Sequence, residues 1–389
     1  MCSTRRKVPL LSLLFFLSSL VMASPVMTPP ARAVGPKELL DNVPVKSTDE
    51  LRGLADDLGY ATTAEQMDSV LTQSEVLSAP RAKEIQKETG WDPDTPFAAA
   101  VCPHDDYYYA SRLYALIAPH VRAKTVILFG VFHKASVFNC RDQLVFDSFP
   151  AWRGPYGPVK VSPLREELMA RLPKGDFIVN NDMQSVEHSV EGIIPWLQAT
   201  DRKVQIVSIL VPYMDWKTLD RISQSVSDAL SQIMKEKGWK LGRDVAIIAS
   251  SDAVHYGDSG WGGENFATFG TDIDGYAKAV DRDRALAEAQ LTGPVERKKL
   301  KEFLYTLVDD QDVTQYKLSW CGRFSIPFGL DVASRVQKAL SSKPLEGTLL
   351  DYGTSVAETS LDLDEILGLG ATAPNNLHHW VGYVAIGYR

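Results

Sequence analysis

The 389-residue sequence has few of the features that mark a nucleic-acid-binding, membrane-spanning or disulfide-stabilised protein. It contains only 4 cysteines, too few for a disulfide scaffold. Its net charge of −8 argues against binding to nucleic acid, which normally requires a basic face. Beyond the N-terminal segment no apolar run is long enough to cross a bilayer. With 45% hydrophobic and 23% charged residues, the composition is that of an ordinary globular protein.

The N-terminal segment has the pattern of a secretory signal peptide. Three basic residues, Arg5 to Lys7, precede the apolar run "VPLLSLLFFLSSLVMA", which ends in small residues. Cleavage after Ala23 or after Ala33 fits this pattern. We take residues 1–23 as the signal peptide and expect an exported protein, periplasmic or secreted. The run is too short, and too interrupted by proline and serine, for a stable membrane span.

The cysteines that would remain after export are odd in number. Cys2 would leave with the signal peptide, so Cys102, Cys140 and Cys321 would remain. In a compartment that permits disulfides, an odd count leaves at least one thiol free, paired between chains or bound to a metal.

The sequence texture divides the rest of the chain into two regions. Residues 24–95 are predicted to form a linker and a helical N-terminal extension, whose two short helices would be capped by Ser47 and Thr63. We expect no catalytic or ligand-binding residues in this region. Residues 96–389 are predicted to form one α/β domain. There the apolar runs "PFAAAVC", "TVILFG", "KVQIVSILV" and "DVAIIAS" alternate with amphipathic segments, a pattern typical of a central sheet with helices on both faces.

Further elements follow from the same signals. The stretch "TLDRISQSVSDALSQIMKEKG" predicts a helix ended by its glycine. Helices are also predicted over 280–291, 295–307 and 329–340. The stretch "HHWVGYVAIGY" predicts a terminal strand.

Three histidines occupy equivalent positions in the predicted sheet. His104, His133 and His255 each come just after an apolar run. Because ligands of open α/β sheets bind beyond the carboxyl ends of the strands, we expect the three side chains to meet. Neutral imidazole is also the commonest metal ligand in proteins. Any one such histidine is more often structural, but three at equivalent positions indicate a shared site. We interpret His120 as a structural residue, and His378 and His379 as surface residues.

A second cluster lies in "SVEHSVEGIIPWL". Glu187, His188 and Glu191 are spaced so that they share a helix face. The alternative is a solvated helix start, where acidic residues are common.

Five short motifs together resemble a known family. In order they are "CPHDDY", "LFGVFH", "VEHSVE", "SSDAVHYG" and "WCGR". Their order and spacing resemble the Memo family, which includes the bacterial AmmeMemoRadiSam system protein B, over about residues 97–389. That family shares an α/β fold with LigB-type class III extradiol dioxygenases, which are non-haem Fe(II) enzymes. The resemblance therefore implies a LigB/Memo-like central sheet.

The resemblance also implies roles for individual residues. His104, His133 and Cys321 match metal ligands, with the cysteine in place of the carboxylate of the dioxygenases. His255 matches their general acid/base, and Asp252 lies beside it. The remaining matched or adjacent residues would lie in a second shell or at the rim: Asp105, Asp106, Glu187, His188, Glu191 and Arg323.

The ligand set implied by the resemblance bears on the choice of metal. Two histidines and a carboxylate are typical of non-haem Fe(II) oxygenases, whereas a thiolate moves the preference toward copper or zinc. We therefore expect one metal ion, iron or copper, with zinc as a third alternative.

The sequence departs from the family at Asp105-Asp106 and at Val131-Phe132, where relatives tend to have small or polar residues before the histidine. Asp105 and Asp106 replace Ala-Gly, and they would add a ligand, tune His104 from outside the ligand shell or face solvent. Cys102 would either bridge to Cys140 or reach the metal, since strand alternation points it the same way as His104.

Three functions remain open on the sequence alone. The first is a metal-dependent, dioxygenase-like oxidoreductase acting on a small molecule in a pocket walled by Tyr107 to Tyr109, Phe132 and Trp261. The second is a non-catalytic copper or iron binding and redox protein. The third is a peptide-binding scaffold that uses the same cleft. A radical-SAM partner is not expected for an exported protein, because such enzymes are normally cytosolic.

Overall fold

The apolar runs of the sequence form the strands of one large mixed sheet. In the computed structural model, which describes residues 34–260, 264–341, 343–356 and 360–389, residues 35–389 make up one compact unit. The predicted signal peptide and Trp261 lie outside the described residues. No helix among the described residues is long and apolar enough to cross a membrane.

The strands pair around a parallel centre. The strand bounds are β1 Ala99–Cys102, β2 Thr125–Val131, β3 Leu144–Phe146, β4 Ala151–Trp152, β5 Val159–Lys160, β6 Phe177–Val179, β7 Gln205–Val211, β8 Val245–Ser250, β9 Asp252–Gly257, β10 Gly293–Pro294, β11 Glu346–Thr354, β12 Asn375–Asn376 and β13 His379–Tyr388. Their order in the sheet is β10-β11-β13-β1-β8-β2-β7-β3-β6, with β9 and β12 also paired to β13, while β4 and β5 form a separate ribbon.

The four central strands, β1, β8, β2 and β7, run parallel to one another. Parallel strands bring their carboxyl ends to one edge of the sheet, where ligands of such folds bind. The neighbour of β1 on the other side, β13, is antiparallel to it. The loops that follow β1, β2 and β8 therefore meet at a single edge.

Helices cover both faces of this sheet, as predicted. Their bounds are α1 Pro36–Asn42, α2 Ala64–Thr89, α3 Tyr107–Ile117, α4 Leu164–Met169, α5 Asn181–Ser185, α6 Ile193–Thr200, α7 Trp216–Lys237, α8 Ile273–Leu291, α9 Arg297–Leu307 and α10 Ser325–Leu340, with 3-10 turns at Ala118–His120 and Leu363–Glu365. Successive residues of β2 alternate between the two cores: Ile127 and Phe129 pack with α7, α9 and α10, whereas Val126 and Leu128 pack with α2, α3 and α6.

The predicted helix start at Thr63 is confirmed, whereas the predicted start at Ser47 is wrong. Thr63 caps α2 in a reciprocal capping box with Gln66, and Gly238 in left-handed conformation ends α7, as its sequence predicts. No helix follows Ser47. Its hydroxyl instead accepts a hydrogen bond from Gly53 N, while Val45 and Leu54 form a β-bridge. Tertiary contacts override local helix propensity in this segment.

Candidate metal centre

Two imidazoles and a thiol converge at the carboxyl edge of the sheet. His104 lies two residues beyond β1, His133 lies two residues beyond β2, and Cys321 lies in the turn before α10. One ligand atom from each of the three residues lies within 4.8 Å of the other two. His104 and Cys321 are buried, and His133 is half-buried.

The His104 imidazole is held in place through its Nδ1 atom. Its Nδ1 lies 2.8 Å from Ser250 Oγ, and that hydroxyl gives its hydrogen to Ser189 O, so Nδ1–H of His104 donates to Ser250. The lone pair of His104 Nε2 then points inward. This nitrogen is buried and has no hydrogen-bond partner in the described part of the chain, although Asp252 Oδ2 lies 3.2 Å away. Burial holds the pKa of His104 well below its usual range, so the ring is neutral.

His133 is oriented by a carboxylate. Glu187 Oε1 lies 2.8 Å from His133 Nδ1, and Glu187 Oε2 accepts from the His133 backbone N at 2.7 Å. Burial by itself would raise the pKa of Glu187, but the charge and hydrogen bonds of His133 outweigh it and lower the pKa to about 2. The ionised Glu187 thus fixes the tautomer and direction of His133, as carboxylates do behind metal-bound imidazoles.

The thiol of Cys321 faces the remaining histidine. Its Sγ lies 3.0 Å from His255 Nε2. The turn is held by Gly322 N, which donates to Ser251 Oγ at 2.9 Å. Burial, reinforced by Asp252, raises the pKa of the Cys321 thiol well above its usual value. The free thiol is therefore protonated, and a metal ion would have to displace that proton.

The donor set fits a metal ion. A buried imidazole nitrogen without a partner is rare in native proteins, and His104 Nε2 is such an atom beside two further donors. Sulfur and nitrogen ligands of this kind suit zinc, copper and iron. Two other groups also bring their ligand atoms within 4.8 Å of one another: Asp252, His255 and Cys321, and His133, Glu187 and His188.

His188 and His255 line the same cavity as neutral groups. The His188 ring stacks on His133 with centroids 4.8 Å apart, and burial, followed by the charge of His133, lowers the pKa of His188 to about 4. Burial likewise lowers the pKa of His255 to about 3. Both rings are therefore neutral near neutral pH, where they are weak bases that can accept hydrogen bonds.

The two aspartates after His104 take different positions. Asp105 lines the cavity and accepts from Tyr383 OH at 3.0 Å, and burial raises its pKa to about 7. Asp106 is buried and accepts from the backbone N of Ala373 at 2.7 Å, so it ties the loop at 372–373 to the start of α3. The solvent-facing alternative does not hold for Asp106.

Glu191 does not face the metal ligands. Its carboxylate is buried against Arg52, with which it forms an ion pair, and it accepts from Ala55 N at 2.6 Å and Asp56 N at 3.0 Å. Arg52 also donates to Glu187 O at 2.6 Å. The sequence pattern predicts no chemistry for the segment that contains Arg52, yet this segment packs directly behind the site.

The three cysteines of the described chain are free. Cys102 packs in the apolar cluster beneath α3, whereas Cys140 belongs to a separate small cluster around Phe132. The predicted alternative of a Cys102–Cys140 bridge is therefore wrong for this structure. Cys102 is also absent from the ligand groups found among the described residues.

The centre opens into a cavity of about 500 Å³, a size typical of small-molecule sites. Its wall includes Phe266, Tyr316, Pro374 and Val381, with Arg323 beside Cys321. The predicted wall was wrong at its described residues. Tyr107 is buried against Trp196, Phe132 packs against Phe138, and neither Tyr108 nor Tyr109 contributes to the lining.

Comparison with known proteins agrees with the motifs. A family model described as Memo-like protein matches residues 59–371. A MEMO1 family protein of Pyrococcus abyssi is 30% identical over 278 residues, which is 69% of this chain and 84% of the relative. A MEMO1 family protein of Pyrococcus furiosus is 26% identical over 282 residues, with the same coverage of 69% and 84%.

Proposed function

Since the chain belongs to the Memo family, we propose that it is a metal-dependent oxidoreductase, dioxygenase-like in its site, that acts on a small molecule in the cavity above His104, His133 and Cys321. The observation that carries the proposal is the buried Nε2 of His104, which has no hydrogen-bond partner among the described residues, in a side chain that brings a ligand atom within 4.8 Å of those of His133 and Cys321. One ion, iron or copper with zinc as the third alternative, would be held there by the three side chains. A redox-active ion in that position would supply electron transfer and open coordination positions.

The protein's own groups would hold the protons of the substrate in place. His255 is neutral near pH 7 because burial lowers its pKa to about 3, so its ring can accept a hydrogen bond from a bound substrate. Asp252 accepts from the His104 backbone N at 3.0 Å, and burial raises its pKa well above the usual value. A neutral carboxylic acid beside a neutral imidazole offers both a donor and an acceptor to one substrate.

The cavity wall would orient the substrate and exclude water. Phe266, Tyr316 and Val381 provide apolar contact, and a low-dielectric wall strengthens the polar interactions of the groups it encloses. Glu187 keeps His133 in one orientation through two hydrogen bonds. The substrate would therefore meet a rigid set of groups, which is what positioning requires.

We further propose that the protein is exported after removal of residues 1–23 and works without a radical-SAM partner. The support is the basic start and the apolar run of the sequence. Intact-mass measurement of protein from a fractionated native host would test this. A mature N-terminus near residue 24 or residue 34 in the envelope fraction supports export, whereas a full-length cytosolic protein contradicts it.

The metal content of anaerobically isolated protein tests the central proposal. Wild type, His133→Ala, Cys321→Ser and the exposed control His378→Ala would be compared by inductively coupled plasma mass spectrometry. We expect near-stoichiometric metal in wild type and in the control, and little in the two site variants. Oxygen consumption with a panel of phenols would then test the oxidoreductase reaction. Equal metal content in all four proteins would contradict the ligand assignment.

One observation favours a second function, a non-catalytic copper- or iron-binding and redox role. The sulfur donor Cys321 is buried, and soft thiolate ligands favour Cu(I). Tight copper binding that is lost in Cys321→Ser, without substrate-dependent oxygen consumption, would support this function over catalysis.

A further inference from the structure

Arg323 is a cation at the cavity that lacks a hydrogen-bonding partner for part of its guanidinium. It lines the same cavity as His133, His255 and Cys321. Its Nε is buried and has no hydrogen-bond partner among the described residues. Native proteins rarely leave such a donor unpaired unless a ligand, ion or water completes it.

The Arg323 side chain is held in place by contacts that do not neutralise it. Its guanidinium stacks 3.6 Å from the centroid of the Tyr316 ring, and its Nη1 donates to Trp320 O. Tyr316 is itself bonded to Tyr213 through their hydroxyls, 3.1 Å apart. A planar guanidinium fixed in this way is preorganised for an anion that accepts two hydrogen bonds.

The acidic residues of the cavity do not fill this role. Three acidic residues, Asp105, Asp252 and Glu264, line the same space, but in the described part of the chain none of them forms an ion pair with Arg323. Asp105 is already bonded to Tyr383, and Asp252 accepts from the His104 backbone N. Acidic residues near the same space would disfavour a doubly charged ligand more than a singly charged one.

The anion would lie next to the candidate metal ligands. Arg323 lines the same cavity as His133, His255 and Cys321, and it follows Cys321 by two residues in the sequence. An anion bound to Arg323 would therefore lie beside these side chains, with its other end in the cavity.

We propose that Arg323 binds the anionic group of the substrate, and that the substrate class is a small monocarboxylate with an apolar body of about ring size. The apolar body would contact Phe266, Tyr316 and Val381, which belong to the non-polar part of the wall. This inference rests on the proposed function, because it names the substrate class of the same cavity.

Matched probe ligands test the assignment directly. Benzoate, its neutral analogue benzamide and the dianion phenyl phosphate would be titrated into full-length protein by isothermal titration calorimetry. We expect benzoate to bind about tenfold more tightly than benzamide, the gain expected of one charged hydrogen-bonded contact. Phenyl phosphate binding more tightly than benzoate would overturn the monocarboxylate class.

Variants then locate the selectivity. In Arg323→Gln the preference for benzoate over benzamide should be lost while benzamide affinity is unchanged. The control Arg171→Gln, at an exposed arginine paired with Glu236, should bind like wild type. Retained preference in Arg323→Gln, or no preference in wild type, would overturn the proposal. If circular dichroism shows Arg323→Gln to be unfolded, Arg323→Lys decides, since losing the planar fork should weaken the preference several-fold and an unchanged preference would overturn the proposal.

The same titrations separate this inference from the metal proposal. Each is repeated on chelator-stripped protein, with metal content measured in parallel. A preference for benzoate that depends on Arg323 in protein that never binds metal would leave the anion site standing and remove the oxidoreductase function. Full metal content without any preference for benzoate would remove the anion site alone.

Discussion

Glu187 and Glu191 lie four residues apart, and both are buried, yet they serve two different regions of the molecule. Glu187 holds the imidazole and backbone of His133. Glu191 holds Arg52 and two backbone N–H groups of the N-terminal segment. Within one short motif, one carboxylate orients the candidate metal centre and the other fastens the segment behind it.

The difference shows why spacing alone does not reveal the role of a residue. Both side chains have the identity and the interval expected of a shared site. Their partners decide the outcome: an imidazole that can bind metal in one case, and a guanidinium that cannot in the other. The two regions are joined because Arg52 also donates to the backbone carbonyl of Glu187.

The largest effect on stability is expected from removing the buried ion pair between Arg52 and Glu191. Arg52→Met would leave Glu191 buried without its cation, and removing one partner of a buried pair costs about 3–5 kcal/mol of unfolding free energy. Urea denaturation would measure the loss, and the protein that remains folded should keep its metal stoichiometry. The double variant Arg52→Met, Glu191→Met should recover much of the loss. Equal stability of the single variant and wild type would show that the pair does not fasten the segment.

Removing the carboxylate of Glu187 should mainly affect metal binding. Glu187→Gln removes the ionised partner of His133, and changes of that kind typically lower metal affinity about 10- to 100-fold. Competition with a chromogenic chelator would measure the change. An unaltered affinity would mean that Glu187 does not orient a ligand.

The pH dependence of the unfolding free energy of metal-free protein tests the role of Glu187. The pKa of Glu187 lies at about 2 in the folded protein, below its ordinary value of 4.5, so its ionised form stabilises the fold fully above about pH 4.5. This contribution is lost as the pH falls toward 2, because the unfolded chain takes up the proton first. The stability difference between wild type and Glu187→Gln should therefore narrow over that window. A constant difference from pH 6 to pH 2 would contradict the assignment.

A smaller effect is expected at the other imidazole. His104 is oriented by the neutral hydroxyl of Ser250 and not by a carboxylate, and a neutral hydrogen bond contributes about 0.5–1.5 kcal/mol. Ser250→Ala should therefore weaken metal binding by no more than about tenfold. If Ser250→Ala loses more metal affinity than Glu187→Gln in the same chelator competition, Ser250 would be the more important of the two residues that orient the histidines.

The smallest effect on stability and metal content is expected for an arginine–glutamate ion pair that is exposed to solvent. Arg171 and Glu236 form an exposed ion pair, and such pairs contribute little to stability. Arg171→Gln should leave the urea midpoint and the metal content unchanged. A loss comparable to that of Arg52→Met would show that burial is not what separates these pairs.

The sequence predicts the parts of the site that follow from strand order. His104 and His133 come just after apolar runs, and those runs become the parallel strands β1 and β2, which lie on either side of β8, so the sheet itself brings the rings together. The resemblance to the Memo family added Cys321, which no strand pattern indicates. Both conclusions depend on local signals, namely apolar runs and short motifs.

The parts that were missed depend on long-range partners. Arg52 pairs with a carboxylate 139 residues away in sequence, and Ser250 meets His104 across 146 residues, so no local pattern marks either one. The segment after Ser47 looks helical by composition, but Arg52 is drawn into the core, and a side chain at Gly53 would overlap Val45 O. The α8 start was placed too late because Asp272, which caps the helix by accepting from Gly275 N, lies in a stretch that resembles a loop.

The place of β13 in the sheet bears on how the protein is made. This strand, the last in sequence, lies between β1 and β11 and also pairs with β9, which carries His255. While a ribosome is still translating the chain, β1 and β9 lack the neighbour that aligns them. Closing contacts over such a separation is slow and entropically costly. If the protein binds a metal as proposed, uptake would be a late event in its biogenesis, and nascent chains stalled before residue 379 should bind no metal.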